Sequence, residues 1–248
     1  AVRQKGEMAA VLGVDREKIR VLSYDVGGNF GTRNRIYVEF GLVLWASEKL
    51  KRPVKYLATR SEAFLSDYQG RDLVSRVELA LKKDGTFLAM RATNISNVGA
   101  RCVSLSPLAK GSALITAGYN IPVATMRALG VFTNTMPTQA YRSSGRPEVN
   151  FVIERMIELI SKDLGIDKIE LRRKNLLTPD VFPYRNPMNT LYDSGTYEVN
   201  MDLAMKIADW DGFEARRDEA KARGKLLGQG IANYVESSTG APKERTEI

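Results

Sequence analysis

This sequence has no histidine and a single cysteine, Cys102, and those two counts narrow the fold before any pattern is read. A lone thiol closes no intrachain disulfide, and without histidine or further thiolates no zinc site can staple a small fold. The chain must therefore hold itself together with a hydrophobic core. Its composition permits one, with 44% hydrophobic and 27% charged residues over a length of 248, values that fit a folded protein and not a disordered one. The same counts exclude Ser-His-Asp and Cys-His nucleophiles, histidine general bases and cysteine-ligated iron–sulfur clusters within these residues. Any chemistry is left to backbone amides, carboxylates, arginines or a bound cofactor.

The formal charge is +8, from 37 Lys+Arg against 29 Asp+Glu. A surplus of this size favours anionic partners such as phosphates, nucleic acid or an acidic subunit. The basic residues are mostly interleaved with acids, as in Arg216-Arg217-Asp218-Glu219, which reads as a solvated helix face. No helix-turn-helix, zinc or aromatic-basic ribonucleoprotein motif supports nucleic-acid binding. The longest stretch without a charge, Gly111 to Met126, holds Asn120 and Pro122 and is too short and too polar to cross a bilayer as a helix. No signal peptide is visible. The helix-like pattern at Val2–Leu12 begins abruptly, and Ala241–Ile248 follows soon after a strand-like run; both ends read as cut from a longer chain.

Along the chain, residues 2–12 read as a helix stopped by Gly13, Ile19–Val26 as a strand, and Ile36–Leu50 as a mostly apolar, buried helix ended by Pro53. Val54–Ala58 reads as a short strand, and Thr59 with Glu62 as a capping box. Asp72–Leu81 and Thr86–Asn94 form an expected β-hairpin around Lys83-Asp84-Gly85. Residues 95–118 read as irregular, Val123–Thr133 as a strand, and Thr135–Pro147 as a loop. Val149–Leu164 is an amphipathic helix stopped by Gly165, and Asp167 with Glu170 opens another to about Leu176. Residues 178–197, with three prolines, suit a functional or interface loop. Helices near 198–208 and 212–223 precede a strand at Leu226–Val235. The mixture predicts an α+β class, with mixed sheets, packed helices and a hairpin, with 1–135 and 136–248 as the candidate subdivision.

Two segments could carry chemistry. Gly27-Gly28-Asn29-Phe30-Gly31 lies between an expected strand and an expected helix, where glycines let backbone N–H groups approach an anion. It has neither the Walker nor the Rossmann spacing, so a tight turn without a ligand explains the glycines more cheaply. Phe30, a large aromatic between glycines, needs a pocket or a ligand. The second segment is Gln139-Ala140-Tyr141-Arg142-Ser143-Ser144-Gly145-Arg146-Pro147-Glu148, two arginines flanking three small residues. Guanidinium groups bind phosphates and oxyanions through paired hydrogen bonds, and the serines could add donors. Arginines paired with surface acids are the alternative. Glu148 and Glu154 could be catalytic carboxylates, although helix-start charge and a solvated face account for them more simply.

Taken together, Asp25-Val26-Gly27-Gly28-Asn29-Phe30-Gly31 and Ala140-Tyr141-Arg142 through Arg146-Pro147-Glu148 resemble the two active-site segments of the molybdenum hydroxylases. These comprise xanthine dehydrogenases, aldehyde oxidoreductases and carbon monoxide dehydrogenases. Arg52-Pro53-Val54-Lys55, Phe151-Val152-Ile153-Glu154-Arg155, Leu164-Gly165-Ile166-Asp167, Leu171-Arg172-Arg173-Lys174-Asn175-Leu176 and Tyr192-Asp193-Ser194-Gly195 are similar to that family in the same order. The resemblance implies a molybdenum–pterin cofactor, in the cytosine dinucleotide form in many bacterial members, with no metal ligand from the chain. It implies oxidative hydroxylation of an aldehyde, N-heterocycle or related small substrate with water as oxygen source, in the cytoplasm. It also implies electron transfer to a FAD-binding medium subunit and a [2Fe-2S] small subunit. Residues 1–248 would be the first half of the molybdopterin-binding domain. Gly28, Asn29, Phe30, Gly31 and Arg142 would face the cofactor, with the Gly31 N–H as a donor, and Asn34, Lys110, Ser143 and Ser144 would border the substrate.

The departures narrow the branch. Asn29 replaces the third glycine of the common Gly-Gly-Gly-Phe-Gly pattern. Asn34 and Ser144 stand where purine-oxidising members carry glutamate and phenylalanine. Ser143 stands where copper-dependent carbon monoxide dehydrogenases carry a cysteine, and a hydroxyl is a poor ligand for soft Cu(I). The loop is nearest the carbon monoxide dehydrogenase-like and aldehyde-oxidising branches. The family's general-base glutamate is expected beyond Ile248, in the remainder of the large subunit, and Glu236 is not that base. No catalytic residue is therefore expected here, and the 248 residues alone are expected to be inactive. A non-catalytic cofactor-binding or assembly protein made of this half is the alternative, with a basic nucleic-acid-binding domain behind both.

Overall fold

The computed structural model describes residues 2–237; the readings at Ala1 and Ala241–Ile248 lie outside the described residues. In chain order the elements are α1 (Val2–Leu12), α2 (Val38–Leu50), α3 (Arg60–Ser66), β1 (Leu73–Leu81), β2 (Phe87–Gly99), α4 (Ser106–Ala113), β3 (Val123–Phe132), α5 (Arg146–Leu164), α6 (Lys168–Asn175), β4 (Tyr184–Arg185), β5 (Leu191–Tyr192), α7 (Tyr197–Ile207) and α8 (Phe213–Ala222). The α+β class is as the patterning predicts. None of these helices is long and apolar enough to cross a membrane.

The chain forms two compact units, one from Ala1–Asp72, Asn97–Pro107 and Gly130–Ser144, the other from Leu73–Ser96, Leu108–Leu129 and Gly145–Ile248. Both are discontinuous in sequence, whereas the sequence reading places a single division near 135.

The second unit holds the main core. β1 alternates half-buried and exposed residues along its whole length and pairs antiparallel with β2 from Leu73↔Ser96 to Leu81↔Phe87, with an irregularity at Ala80/Leu81. β2 is the middle strand of a β1-β2-β3 sheet. The hairpin turn forms as expected. Gly85 N–H donates to the Lys82 carbonyl at 2.9 Å, and Asp84 Oδ1 accepts from Thr86 N–H and Oγ1–H. Val149, Ile153, Ile157 and Ile160 form one buried stripe on α5 at helical spacing. They pack with Phe87 and Met90 of β2 and with Leu114, Ile115, Tyr119, Ile121 and Leu171. Gly165, at φ 66°, ends α5, and Asp167 caps α6 by accepting from the Ile169 and Glu170 N–H groups. The proline-rich stretch folds back on this core: Tyr192 is buried, its hydroxyl donates to the Ala117 carbonyl, and Asn186 Nδ2 donates to the Ala113 carbonyl.

Several readings are corrected. Residues 19–26, 54–58 and 226–235 form no strands, because a strand exists only through a ladder partner and the described residues supply none. The interval 95–118 is not irregular throughout: β2 runs on to Gly99, and α4 occupies 106–113. Its Ser-, Gly- and Ala-rich composition hides the helix. Tertiary packing reveals why it is there, since a Cβ at Gly111 would lie 2.6 Å from the Gly145 carbonyl oxygen. Helix α2 forms but is not buried: Val38, Phe40, Leu42, Leu44 and Trp45 are exposed. α1 packs along one side of it, where Gly41 meets Met8 and Val11. A helix apolar all round needs neighbours on more than one side to be covered.

Candidate functional site

The first unit brings the two glycine- and arginine-rich segments together by backbone contact. Phe30 and Gly31 take left-handed φ values of 50° and 98°. A Cβ at Gly31 would sit 2.8 Å from the Ala140 carbonyl oxygen, so only glycine serves there, for its φ and for the approach of the other loop. Arg142 N–H donates to the Phe30 carbonyl at 2.8 Å. The Phe30 ring lies where a Cβ on Gly28 would be, stands 6.4 Å from the Tyr141 ring, and remains 57% exposed. The glycines around Phe30 thus make room for its own ring.

The second loop is anchored from below. Gln69 N–H donates to the Pro137 carbonyl, and Gln139 N–H donates to the Gln69 carbonyl at 2.8 Å. Gln139 is buried; its Oε1 accepts the Ala140 N–H and its Nε2 donates to Asn34 Oδ1 at 3.1 Å. Arg71 donates to the Arg142 carbonyl at 2.6 Å and places its guanidinium 5.1 Å from the centre of the Tyr141 ring. Ser143 and Ser144 have φ of 68° and 46°. Left-handed backbone at two consecutive non-glycine residues is held only where the surroundings fix it. Here the Ser144 N–H donates to the Tyr141 carbonyl, and its hydroxyl shares a 3.0 Å hydrogen bond with Ser106.

The expected site residues thus fall into two groups. Gly28, Asn29, Phe30, Gly31, Asn34, Arg142, Ser143 and Ser144 share one unit, while Lys110 stands on α4 in the other. Ser144 is buried against Ser106. The Gly31 N–H is already engaged, donating to Asn29 Oδ1 at 2.8 Å. Arg142 is exposed, and its guanidinium has no partner among the described residues. The other arginines nearby are committed, Arg33 to Asp67 and Arg35 to Glu7. Burial and the Asp67 carboxylate push the Tyr37 hydroxyl well above its ordinary range, so it stays protonated and donates to Asp67. The arrangement offers an exposed cation and an aromatic face on a fixed backbone, which suits a flat, anionic ligand. Gln139 opens the second segment but was given no role there, and Arg71 is a functional candidate that sequence reasoning passed over; beside it, a Cβ on Gly70 would press 2.8 Å from Tyr141 Cβ. A separate apolar groove of about 520 Å3 runs between α1 and α2, lined by Met8, Val11, Ile36 and Tyr37 among others.

Glu154 and Arg146 are accounted for in the second unit. Glu154 is not on a solvated face. It is buried, accepting from the Tyr119 hydroxyl at 2.5 Å and from Arg172 Nε at 3.0 Å, while Arg172, fully buried, also reaches Glu158. Arg146, buried, pairs with Glu236 at 2.5 Å.

Residues 3–176 match the family model described as the molybdopterin cofactor-binding domain. The chain is 34% identical over 252 residues to the carbon monoxide dehydrogenase large chain of Afipia carboxidovorans, covering 97% of this chain and 31% of that one. It is 32% identical over 244 residues to the carbon monoxide dehydrogenase large chain of Hydrogenophaga pseudoflava, covering 95% and 30%. The structure is similar to quinoline 2-oxidoreductase from Pseudomonas putida 86, with a TM-score of 0.82 at 30% identity over 89% of this chain and 29% of that one. The chain spans about 30% of the length of the curated relatives it matches.

Proposed function

The chain belongs to the molybdopterin cofactor-binding domain family, and from that premise we propose that the paired loops of the first unit form one wall of a molybdenum–pterin site in a hydroxylase catalytic subunit. The observation that carries the proposal is the exposed guanidinium of Arg142, without a partner among the described residues, on a loop whose backbone is tied to the glycine turn by the Arg142 N–H···O=C Phe30 bond. The residues fit such a group: the cation suits its phosphate, the exposed Phe30 ring suits a flat pterin, and Gly31 permits the close approach of the two backbones.

When bound, the cofactor supplies the two-electron redox chemistry that the chain's own side chains lack. The chain's part is binding and orientation. Gly28, Asn29, Phe30 and Gly31 present the turn, Arg142 holds an anionic oxygen, and Arg71 and Gln139 hold the second loop in place. Ser143 and Asn34 would border the substrate. The substrate class is an aldehyde, N-heterocycle or related small molecule oxidised with water as oxygen source. Ser143 in place of a thiolate argues against a copper-bound variant of the site.

The proposal carries with it the cytosine dinucleotide form of the cofactor, FAD and [2Fe-2S] centres on partner subunits, a cytoplasmic setting, and a general-base glutamate on the remainder of the subunit. It is supported by relatives named as carbon monoxide dehydrogenase large chains and as nicotine 6-hydroxylase large subunit. The test is molybdenum and pterin content per polypeptide in the natural protein containing these residues. Arg142→Ala should lower both about tenfold, the scale of losing a charge-assisted contact. Content equal to wild type would refute the role of the loop.

A further inference from the structure

The glycine turn contains a bond that changes which donor it presents. Asn29 Oδ1 accepts the Gly31 N–H at 2.8 Å. A backbone N–H only donates, so the carboxamide atom facing it must be the oxygen, and the NH2 end is the one turned away. Asn29 is exposed, and its Nδ2 has no partner among the described residues. Of the turn's backbone groups, the Gly31 N–H is taken by Asn29 and the Phe30 carbonyl by the Arg142 N–H. The Asn29 carbonyl further accepts from Thr32 Oγ1 at 3.2 Å, which fixes the residue at its main chain as well as its side chain.

We infer that Asn29 exchanges one donor for another: its Nδ2 donates to an acceptor oxygen of the cofactor, in place of the Gly31 N–H that the side chain has consumed. The inference rests on the cofactor reading of these loops. A glycine at this position would leave the Gly31 N–H open to the ligand. Asparagine closes that donor and projects a longer, two-hydrogen donor from the same turn.

Two substitutions separate this role from simple turn stability. Asn29→Asp keeps an oxygen for the Gly31 N–H but replaces the NH2 group with a second, charged acceptor. Asn29→Gly removes the side chain and releases the Gly31 N–H. In the natural protein containing these residues, Asn29→Asp should lower molybdenum and pterin per polypeptide about tenfold with the melting temperature unchanged. Asn29→Gly should stay within about threefold of wild type, because a backbone donor is restored. Wild-type content in Asn29→Asp overturns the inference. If Asn29→Asp also melts lower, Asn29→Gly decides: retained cofactor supports the exchange, and a tenfold loss assigns the effect to turn rigidity and overturns it. Arg142→Ala, measured alongside, distinguishes the two levels. If it loses cofactor while Asn29→Asp does not, the donor exchange alone falls; if neither loses cofactor, the reading of both loops falls.

Discussion

Arg142 donates its backbone N–H to the Phe30 carbonyl at 2.8 Å, and this bond joins a glycine turn near the start of the chain to a loop beyond its middle. The side chain of Arg142 is thereby left outside the bond that positions it. The main chain fixes the geometry and the guanidinium is available for a ligand, a division of labour that keeps the cost of ordering the binding group low.

The joint depends on Gly31. Gly31→Ala places a methyl group against the Ala140 carbonyl and forces a non-glycine residue to φ 98°. The backbone alone costs about 1–2 kcal/mol, and the clash adds to it. Gly27→Ala, where nothing lies within 4 Å of the added Cβ, is the control. Urea midpoints should fall for the first and stay near wild type for the second; equal midpoints would remove the close approach as a constraint.

Arg71 holds the second loop by two contacts at once, a hydrogen bond to the Arg142 carbonyl and a stack on Tyr141. A lysine keeps the charge but not the planar fork. Arg71→Lys should therefore behave like Arg71→Ala, lowering cofactor content several-fold and speeding tryptic cleavage after Arg142. Rescue by lysine would show that charge, and not geometry, is what the position supplies.

The second unit has its own sensitive point in Arg172. Its guanidinium is fully buried and satisfies Glu154 and Glu158. Arg172→Ala strands the buried Glu154 carboxylate, a loss of about 3–5 kcal/mol, and should lower the melting temperature sharply. A change of under about 1 kcal/mol, the value of an exposed pair, would mean that water reaches the cluster.

Asp84 makes the hairpin turn acid-sensitive. The Thr86 backbone N–H, with Lys174 and the Thr86 hydroxyl, holds its carboxyl down at about 2 from an ordinary 3.8. The folded state thus favours the charged form, so the turn's contribution is present above about pH 4 and is lost as the pH falls toward 2. Urea midpoints at pH 5 and pH 2 should differ more for wild type than for Asp84→Asn. An equal acid loss in both would place the sensitivity elsewhere.

Much of this was legible in the residues. The Asp-Gly turn, the Thr59–Glu62 capping box, and the glycines that stop α1 and α5 act through neighbours a few positions away, so local sequence decides them. The inner stripe of α5 was readable from spacing alone. So were the two loops as a pair, through their resemblance to one family. By contrast, the segments at 19–26, 54–58 and 226–235 have the composition of strands but no ladder, because pairing depends on what lies beside them and not on what they contain. Helix α4 is the reverse case, a helix with little signal, placed by the close approach at Gly111. Tertiary structure alone decided that Glu154 belongs to a buried ion pair and that Ser144 turns inward to Ser106. Each of these is a matter of which polar group finds a partner across the chain, and a hydrogen bond between distant residues leaves no periodicity in sequence.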